Sequence, residues 1–213
     1  AVLADQKVHT PLVLMGKKSK IYYEPLGVVL VISPWNYPFY LALAPAVTAF
    51  VAGNAVVFKP SEVTPLKGLL EEIISKSGFM ADAIQVVYGG KDTGKALIEG
   101  KPNKIFFTGS LSTGKKIMEA AAKHLIQVEL ELGGKDAMIV FSDVNLERTV
   151  NGALWGALAN SGQSCTSVEL LYVQEEIYSR FISKLQEKID QLKISEGDTK
   201  SDKGNIDIGC MSA

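Results

Sequence analysis

Lys104-Ile105-Phe106-Phe107-Thr108-Gly109-Ser110-Leu111-Ser112-Thr113-Gly114 is an apolar run that breaks into a glycine-bounded turn, and residues 115–124 continue at helical spacing. Strand, glycine turn and helix in this order present backbone N–H groups to a phosphate. The turn keeps the first and last glycines of a G-x-G-x-x-G fingerprint. Leu111 stands where the middle glycine would let a pyrophosphate approach. By itself the stretch is equally compatible with an ordinary strand-to-helix turn that uses glycine for backbone reasons.

The flanking sequence repeats the pattern. Towards the N-terminus, residues 26–32, 55–58 and 84–88 read as strands, because each is short and apolar and ends in turn-forming residues. Between them a helix is predicted over 39–52, apolar nearly all round, interior for that reason, and capped by Gly53. A second is predicted to start with Thr64 as N-cap and Pro65 in the first turn and to end before Gly78. A third covers 92–99. Towards the C-terminus, residues 127–132 alternate, with Val128, Leu130 and Leu132 on one face and Glu129 and Glu131 on the other. Strands at 137–141 and 170–173 and helices at 145–160 and 175–192 follow, with Asp143 or Asn145 as cap of the first. Strands alternating with helices predict an α/β chain with an open parallel sheet and helices on both faces. Residues 1–25 fit less well and read as a hairpin outside that sheet, built from Leu12-Val13-Leu14 and Lys20-Ile21-Tyr22-Tyr23 around Gly16-Lys17.

Composition narrows the function. The chain has 213 residues, 47% hydrophobic, with 22 Lys+Arg against 23 Asp+Glu and a pI near 6.2. That balance supplies no basic field for nucleic acid or for an anionic membrane surface. The most apolar stretch, 38–52, is too short to cross a bilayer, and residue 1 opens no signal-peptide pattern. Two cysteines, Cys165 and Cys210, suit a reducing compartment, so a cytoplasmic location is expected. Neither end reads as natural: after the polar run 196–205, residues 206–211 resemble the start of a further element.

Several side chains can carry chemistry. Cys165 follows a Gly-Gln-Ser turn on a loop, which favours exposure, although a small buried thiol is the commoner use of cysteine. His9 and His124 are poorly placed to serve as its base, which leaves a carboxylate. Glu131 lies at a strand end, where partial desolvation suits a general base; it and Glu129 can equally be solvated or paired with Lys123 or Lys135. Asn36, in a rigid loop after a strand, can donate to an oxyanion or simply cap the next helix. Lys59 and Glu62 can hold ribose hydroxyls or face solvent. No metal-ligand spacing is present.

Taken together, Pro34-Trp35-Asn36, Lys59-Pro60-Ser61-Glu62, Phe107-Thr108-Gly109-Ser110, Glu131-Leu132-Gly133-Gly134-Lys135 and Gly162-Gln163-Ser164-Cys165 resemble the aldehyde dehydrogenase superfamily in text and in order. The resemblance covers residue 10 to the end and describes a portion of such an enzyme, less than half its usual length. It implies a partial oligomerisation hairpin over 1–25, a Rossmann-like dinucleotide-binding domain over 26–133 and the beginning of a second α/β catalytic domain over 134–213. It further implies Cys165 as nucleophile, Glu131 as general base and Asn36 as the oxyanion-hole amide. Trp35, Lys59, Glu62, Gly109, Ser110, Gly114 and Leu132 would contact the cofactor, expected to be NAD, with NADP possible, because Glu62 would repel a 2′-phosphate. The implied reaction is oxidation of a small-molecule aldehyde to a carboxylic acid through a thioester, in a homo-oligomer when full length. The alternative is a non-catalytic dinucleotide-binding fragment; coenzyme A-dependent acylation is disfavoured by the presence of Glu131. As it stands, the chain is expected to self-associate through the exposed apolar faces of its two C-terminal helices.

Overall fold

The computed structural model describes residues 3–78, 82–195 and 206–212. The polar run 196–205 lies outside them. The chain forms two compact units, Ala1–Glu131 and Leu132–Ala213.

The first unit opens with β1 (Gln6–Val8) and β2 (Ser19–Ile21), paired antiparallel. Leu12–Leu14 is not a strand as expected but a 3-10 turn. Pro11 has no N–H to give a ladder, and its carbonyl instead accepts from Leu14 N at 2.8 Å. Thr10 and Ser19 then close the hairpin through a hydroxyl pair at 3.0 Å.

The main sheet uses β3 (Val28–Ile32), β4 (Ala55–Lys59), β5 (Ile84–Val86), β6 (Lys104–Gly109) and β7 (Gln127–Leu132) in the order β5-β4-β3-β6-β7. The β3–β4, β3–β6 and β4–β5 pairings are parallel. Alternation sends Val29 and Val31 to one face, where they pack with Val56 and Phe58 against Ala42 and Ala46 of α1 (Tyr40–Val51) and Leu70 and Ile74 of α2 (Leu69–Lys76). The opposite face buries Leu30 and Ile105. It is covered by α3 (Lys91–Glu99) and α4 (Leu111–Ala122), which contact β3 and β6 respectively. Helices thus lie on both faces, and each fully buried Leu or Phe contributes about 1.5–3 kcal/mol.

Three helix readings need correction. α1 buries only Ala42 and Ala46; Tyr40 and Val51 stand exposed, because a single face meets the sheet. α2 starts at Leu69, after Gly68 at φ +88°, and not near Thr64. The Thr64 hydroxyl instead donates to the Trp35 carbonyl at 2.8 Å, and Glu71 accepts from Gly68 N at 2.8 Å to close the true N-terminus. α4 begins four residues earlier than expected. Ser110 caps it by accepting from Thr113 N at 3.3 Å, so Gly114 lies buried in the first helical turn and outside the glycine turn.

Two asparagines hold the entrance to β3. Asn54, 7% exposed, accepts from Leu26 N at 2.6 Å and Gly27 N at 3.1 Å and donates to Ala49 O at 2.9 Å. Asn103 accepts from Val28 N at 2.7 Å. Neither stood out in the sequence, since their partners lie 28 and 75 positions away in the chain.

In the second unit β8 (Asp136–Val140) and β9 (Val168–Val173) pair in parallel, with α5 (Leu146–Leu158) and α6 (Glu175–Asp190) against one face. Of the two expected caps, Asn145 takes the position, accepting from Arg148 N at 3.0 Å. Val140, Val150, Ala153 and Phe181 form the core, so the apolar faces of both helices are covered and not exposed as anticipated. The open apolar surface is the other side of the strands, where Ile139, Phe141 and Tyr172 are exposed. Residues 206–212 form no strand; Ile208 makes an isolated bridge to Ile194.

Glu147 ties α5 to α6 through Lys184 at 2.6 Å and Lys188 at 2.7 Å. Hydrogen bonds from these two ammonium groups, with their charge, lower its pKa from 4.5 to about 2. The pair therefore stabilises the fold above pH 4.5, and that contribution fades as pH falls toward 2. Glu147→Gln should lower the melting temperature at neutral pH, with the gap to the unaltered protein closing through that acid range in melts followed by circular dichroism. Separately, Asn54→Ala should cost about 1–3 kcal/mol by stranding the Leu26 and Gly27 N–H groups, read as a lower urea midpoint at unchanged slope.

Candidate functional site

From β3 the chain builds outward on one side through β4 and β5 and on the other through β6 and β7. Connections leave β3 and β6 toward opposite faces, so a crevice opens beyond their carboxyl ends, where open α/β sheets take their ligands. A cavity of about 460 Å³ lies there. Ile32, Ser33 and Trp35 line it from the end of β3, Lys59 and Glu62 from the end of β4, and Thr108, Gly109 and Ser110 from the end of β6. Helices α3 and α4 supply the remaining wall.

Each wall has a local cause. Lys59 ends β4 with its side chain only 6% exposed; its ammonium donates to the Pro60 carbonyl at 3.1 Å and to Glu62 at 3.4 Å. The Glu62 carboxylate is 58% exposed. It accepts from its own backbone N–H, and this bond, with the Lys59 charge and against some desolvation, holds its pKa below the usual carboxylate range. At the β6 end, Gly109 makes room for the Phe107 ring: a Cβ there would sit 2.5 Å from Phe107 Cζ, so the ring would have to shift. Ser110 then starts α4, with its hydroxyl 3.0 Å from Thr113 Oγ1, and turns the helix N-terminus to the cavity.

Two features suit a phosphorylated ligand. Lys59, Lys91, Lys95 and Lys116 line the cavity against one carboxylate, Glu62, a surplus of positive charge that a dinucleotide would neutralise. Ser33 is a cavity-lining residue, 5% exposed, and its buried Oγ has no hydrogen-bond partner among the described residues. Trp35, Lys59, Glu62, Gly109 and Ser110 are therefore brought together as cavity wall, while Asn36, half-buried in the same loop, and Gly114 are not part of it. Ser33, Gly90, Lys91, Gly94, Lys95 and Lys116 were missed. The helical spacing of the last four was available, but which helix covers the β3–β6 crevice was not.

Glu131 and Leu132 end β7, with Glu131 exposed and Leu132 half-buried, as alternation requires. Among the described residues, neither Glu129 nor Glu131 forms the alternative ion pair with Lys123 or Lys135. Glu129 pairs with Lys104 at 3.2 Å, and Lys135 with Glu169 at 2.5 Å.

In the second unit, α5 ends in a left-handed turn that delivers Cys165. Asn160, Ser161 and Gly162 all have positive φ, at 54°, 58° and 74°. A side chain at Gly162 would also press its Cβ to 3.1 Å from the Ala157 carbonyl. Two non-glycine residues in this region cost energy that surrounding bonds must repay. Gln163, 9% exposed, donates to Asn160 O at 3.0 Å and accepts from Ser212 N at 2.8 Å. Ser161 donates to Gly209 O at 2.9 Å, and Ser167 to Gly162 O at 3.1 Å. Cys165 leaves this braced turn as a free, exposed thiol. Among the described residues no group of His, Cys, Asp and Glu could hold a metal ion, and no helix is long and apolar enough to cross a membrane.

A family model described as the aldehyde dehydrogenase family matches residues 2–211. The chain is 45% identical over 195 residues to 4,4'-diapolycopene aldehyde oxidase of Methylomonas sp, covering 91% of this chain and 37% of that protein. It is 43% identical over 175 residues to mouse (Mus musculus) 4-trimethylaminobutyraldehyde dehydrogenase, covering 81% and 35%. Among solved structures, an aldehyde dehydrogenase from Brucella melitensis biovar abortus 2308 superposes at TM-score 0.91 with 30% identity, over 100% of this chain and 43% of that one. An Escherichia coli enzyme described as NADP dependent superposes at 0.85 with 34% identity, over 91% and 40%. The chain thus spans less than half the length of each.

Proposed function

The chain belongs to the aldehyde dehydrogenase family, and on that premise we propose that the intact protein oxidises an aldehyde to a carboxylic acid with a nicotinamide dinucleotide, held by the first unit, and a cysteine nucleophile from the second. The observation that carries the dinucleotide half is the cation-rich cavity at the strand switch point, with its buried, unpartnered Ser33 hydroxyl. When bound, the dinucleotide supplies the hydride acceptor. Lys59 and Glu62 would take the adenosine ribose, and Gly109 and the Ser110 end of α4 the pyrophosphate, with Trp35 in the wall and Leu132 as a further cofactor contact; Gly114, buried in the first turn of α4, lies off the cavity wall.

The chemistry follows from the family resemblance and the exposed placement of Cys165. Its thiolate adds to the aldehyde carbon, and the oxyanion formed is held by the Asn36 amide and the Cys165 backbone N–H. Loss of hydride leaves a thioester on Cys165. Glu131 takes a proton from water, whose oxygen adds to the thioester carbon; the acid departs and the thiolate is restored. The turn before Cys165 supports this role, because a strained, well-braced loop holds a nucleophile in place without burying it. A cytoplasmic homo-oligomer is part of the same proposal.

In the intact protein, Cys165→Ala should abolish NADH or NADPH formation, by at least about a thousandfold, while dinucleotide binding persists, measured by calorimetry beside steady-state assays. Retained turnover would remove Cys165 from the mechanism. Glu131→Gln should instead leave the first hydride transfer and slow hydrolysis, by about 100-fold or more, so that mass spectrometry finds an acyl adduct on Cys165. An unchanged steady-state rate without adduct would reduce Glu131 to a strand residue.

A further inference from the structure

In the turn before Cys165, one residue type is not accounted for by backbone conformation. Asn160, at φ 54°, tolerates the left-handed region, and Gly162, at φ 74°, adopts it freely. Ser161, between them at φ 58°, does neither. What serine adds over glycine is a hydroxyl, and that hydroxyl donates to the Gly209 carbonyl at 2.9 Å. Two residues on, Gln163 Oε1 accepts from Ser212 N at 2.8 Å, so residues 209–212 are caught at two points of the turn. The other end of the same stretch is moored to the chain just past α6. The Asp207 carboxylate accepts from Lys193 N at 3.0 Å, and Asp207 N and Ile208 N donate to Lys193 O at 2.9 and 3.1 Å. Ser195 N donates to Ile208 O at 3.0 Å. Residues 206–212 thus run from an anchorage at 193–195 to another at 161–163, all within the second unit.

We propose that residues 206–212 are a strap that positions Cys165 for attack, with Ser161 and Gln163 as its catches on the turn and Asp207 as its mooring at the far end. The inference rests on the reading of Cys165 as nucleophile and adds the residues that aim it. Aim matters because addition to a carbonyl carbon needs the sulfur within a narrow range of distance and direction, and a displacement of about 1 Å can slow such a step on the order of 100-fold. A left-handed turn held only by its own residues would relax toward the ordinary regions of φ and ψ and swing the side chains that follow. The strap opposes that relaxation by tying the turn to backbone that continues from α6. Ser161, Gln163 and Asp207 are positioning residues, since each acts through the turn and needs no contact with substrate.

The test uses the intact protein with Ser161→Gly, Asp207→Ala and Asp207→Asn. It reads the single-turnover burst of NADH or NADPH, alkylation of Cys165 by iodoacetamide mapped by mass spectrometry, and thermal melts. Ser161→Gly removes the hydroxyl and relieves the backbone at the same position, so the melt should be no lower while the burst slows at least about fivefold. Asp207→Ala should slow the burst by at least the same factor. Asp207→Asn keeps a side-chain oxygen for Lys193 N and should bring the burst back to within about twofold of the unaltered protein. Alkylation by a small reagent needs only an exposed thiol and should change less than about twofold in every variant, which separates a misdirected thiol from a buried one. A burst slowed less than about fivefold in Ser161→Gly or Asp207→Ala, a loss that only follows the unfolded fraction in the melts, alkylation slowed as much as the burst, or no recovery in Asp207→Asn would overturn the strap and leave Cys165 as nucleophile. Turnover retained by Cys165→Ala would overturn the nucleophile itself, and this inference with it.

Discussion

The parallel pairing of β3 with both β4 and β6 is the constraint from which the rest of the first unit follows. A parallel neighbour demands a crossover, and the one that joins β3 to β4 through α1 and the one that joins β5 to β6 through α3 lie on opposite faces of the sheet, so both are covered. That geometry buries Val29 and Val31 under α1 and α2 and leaves Leu30 and Ile105 for α3 and α4. It also parts the chain beyond Ile32 and Phe107, and the crevice there is a by-product of strand order before it is a binding site. Asn54 and Asn103 matter because they hold the entering end of the same central strand.

Electrostatics inside the crevice are asymmetric. Lys59 is buried and satisfied by a carbonyl and a carboxylate, which makes it a fixed part of the wall. Lys91 and Lys95 stand on an exposed helix and carry charge without a fixed partner. A buried charge with two partners sets shape and orientation, whereas a solvated one sets attraction and its salt dependence. Ser33 belongs with Lys59 as a buried part of the wall, its Oγ without a hydrogen-bond partner among the described residues.

The second unit solves another problem, presenting a thiol on a turn that the backbone disfavours. Asn160 and Ser161, left-handed without being glycine, need compensation, and Gln163, Ser161 and Ser167 supply it through bonds within the turn and to residues 209 and 212. Distant backbone thereby stabilises a loop that its own residues would not hold.

Much of this was legible from residue order. Alternating apolar runs set the strand positions within two or three residues, and the strict alternation of β7 placed Glu131 outward, because a strand's side chains can only take two directions. Motif text picked out Trp35, Lys59, Glu62, Gly109 and Ser110, which meet in one cavity, and the Gly-Gln-Ser turn anticipated an exposed Cys165. Helix starts were less legible. Thr64 has the chemistry of a cap but spends its hydroxyl on the Trp35 carbonyl, while Ser110 caps a helix that two glycines had made look like a loop. Local sequence states what a hydroxyl can bond; only the folded neighbourhood decides which partner comes within reach. For the same reason the sequence determined the strands, the turn glycines and the reactive side chains, whereas tertiary structure alone set Gly90 and Gly94 against the Lys59–Glu62 pair and left Ser33 without a partner, since those contacts join segments whose separation along the chain carries no local signal.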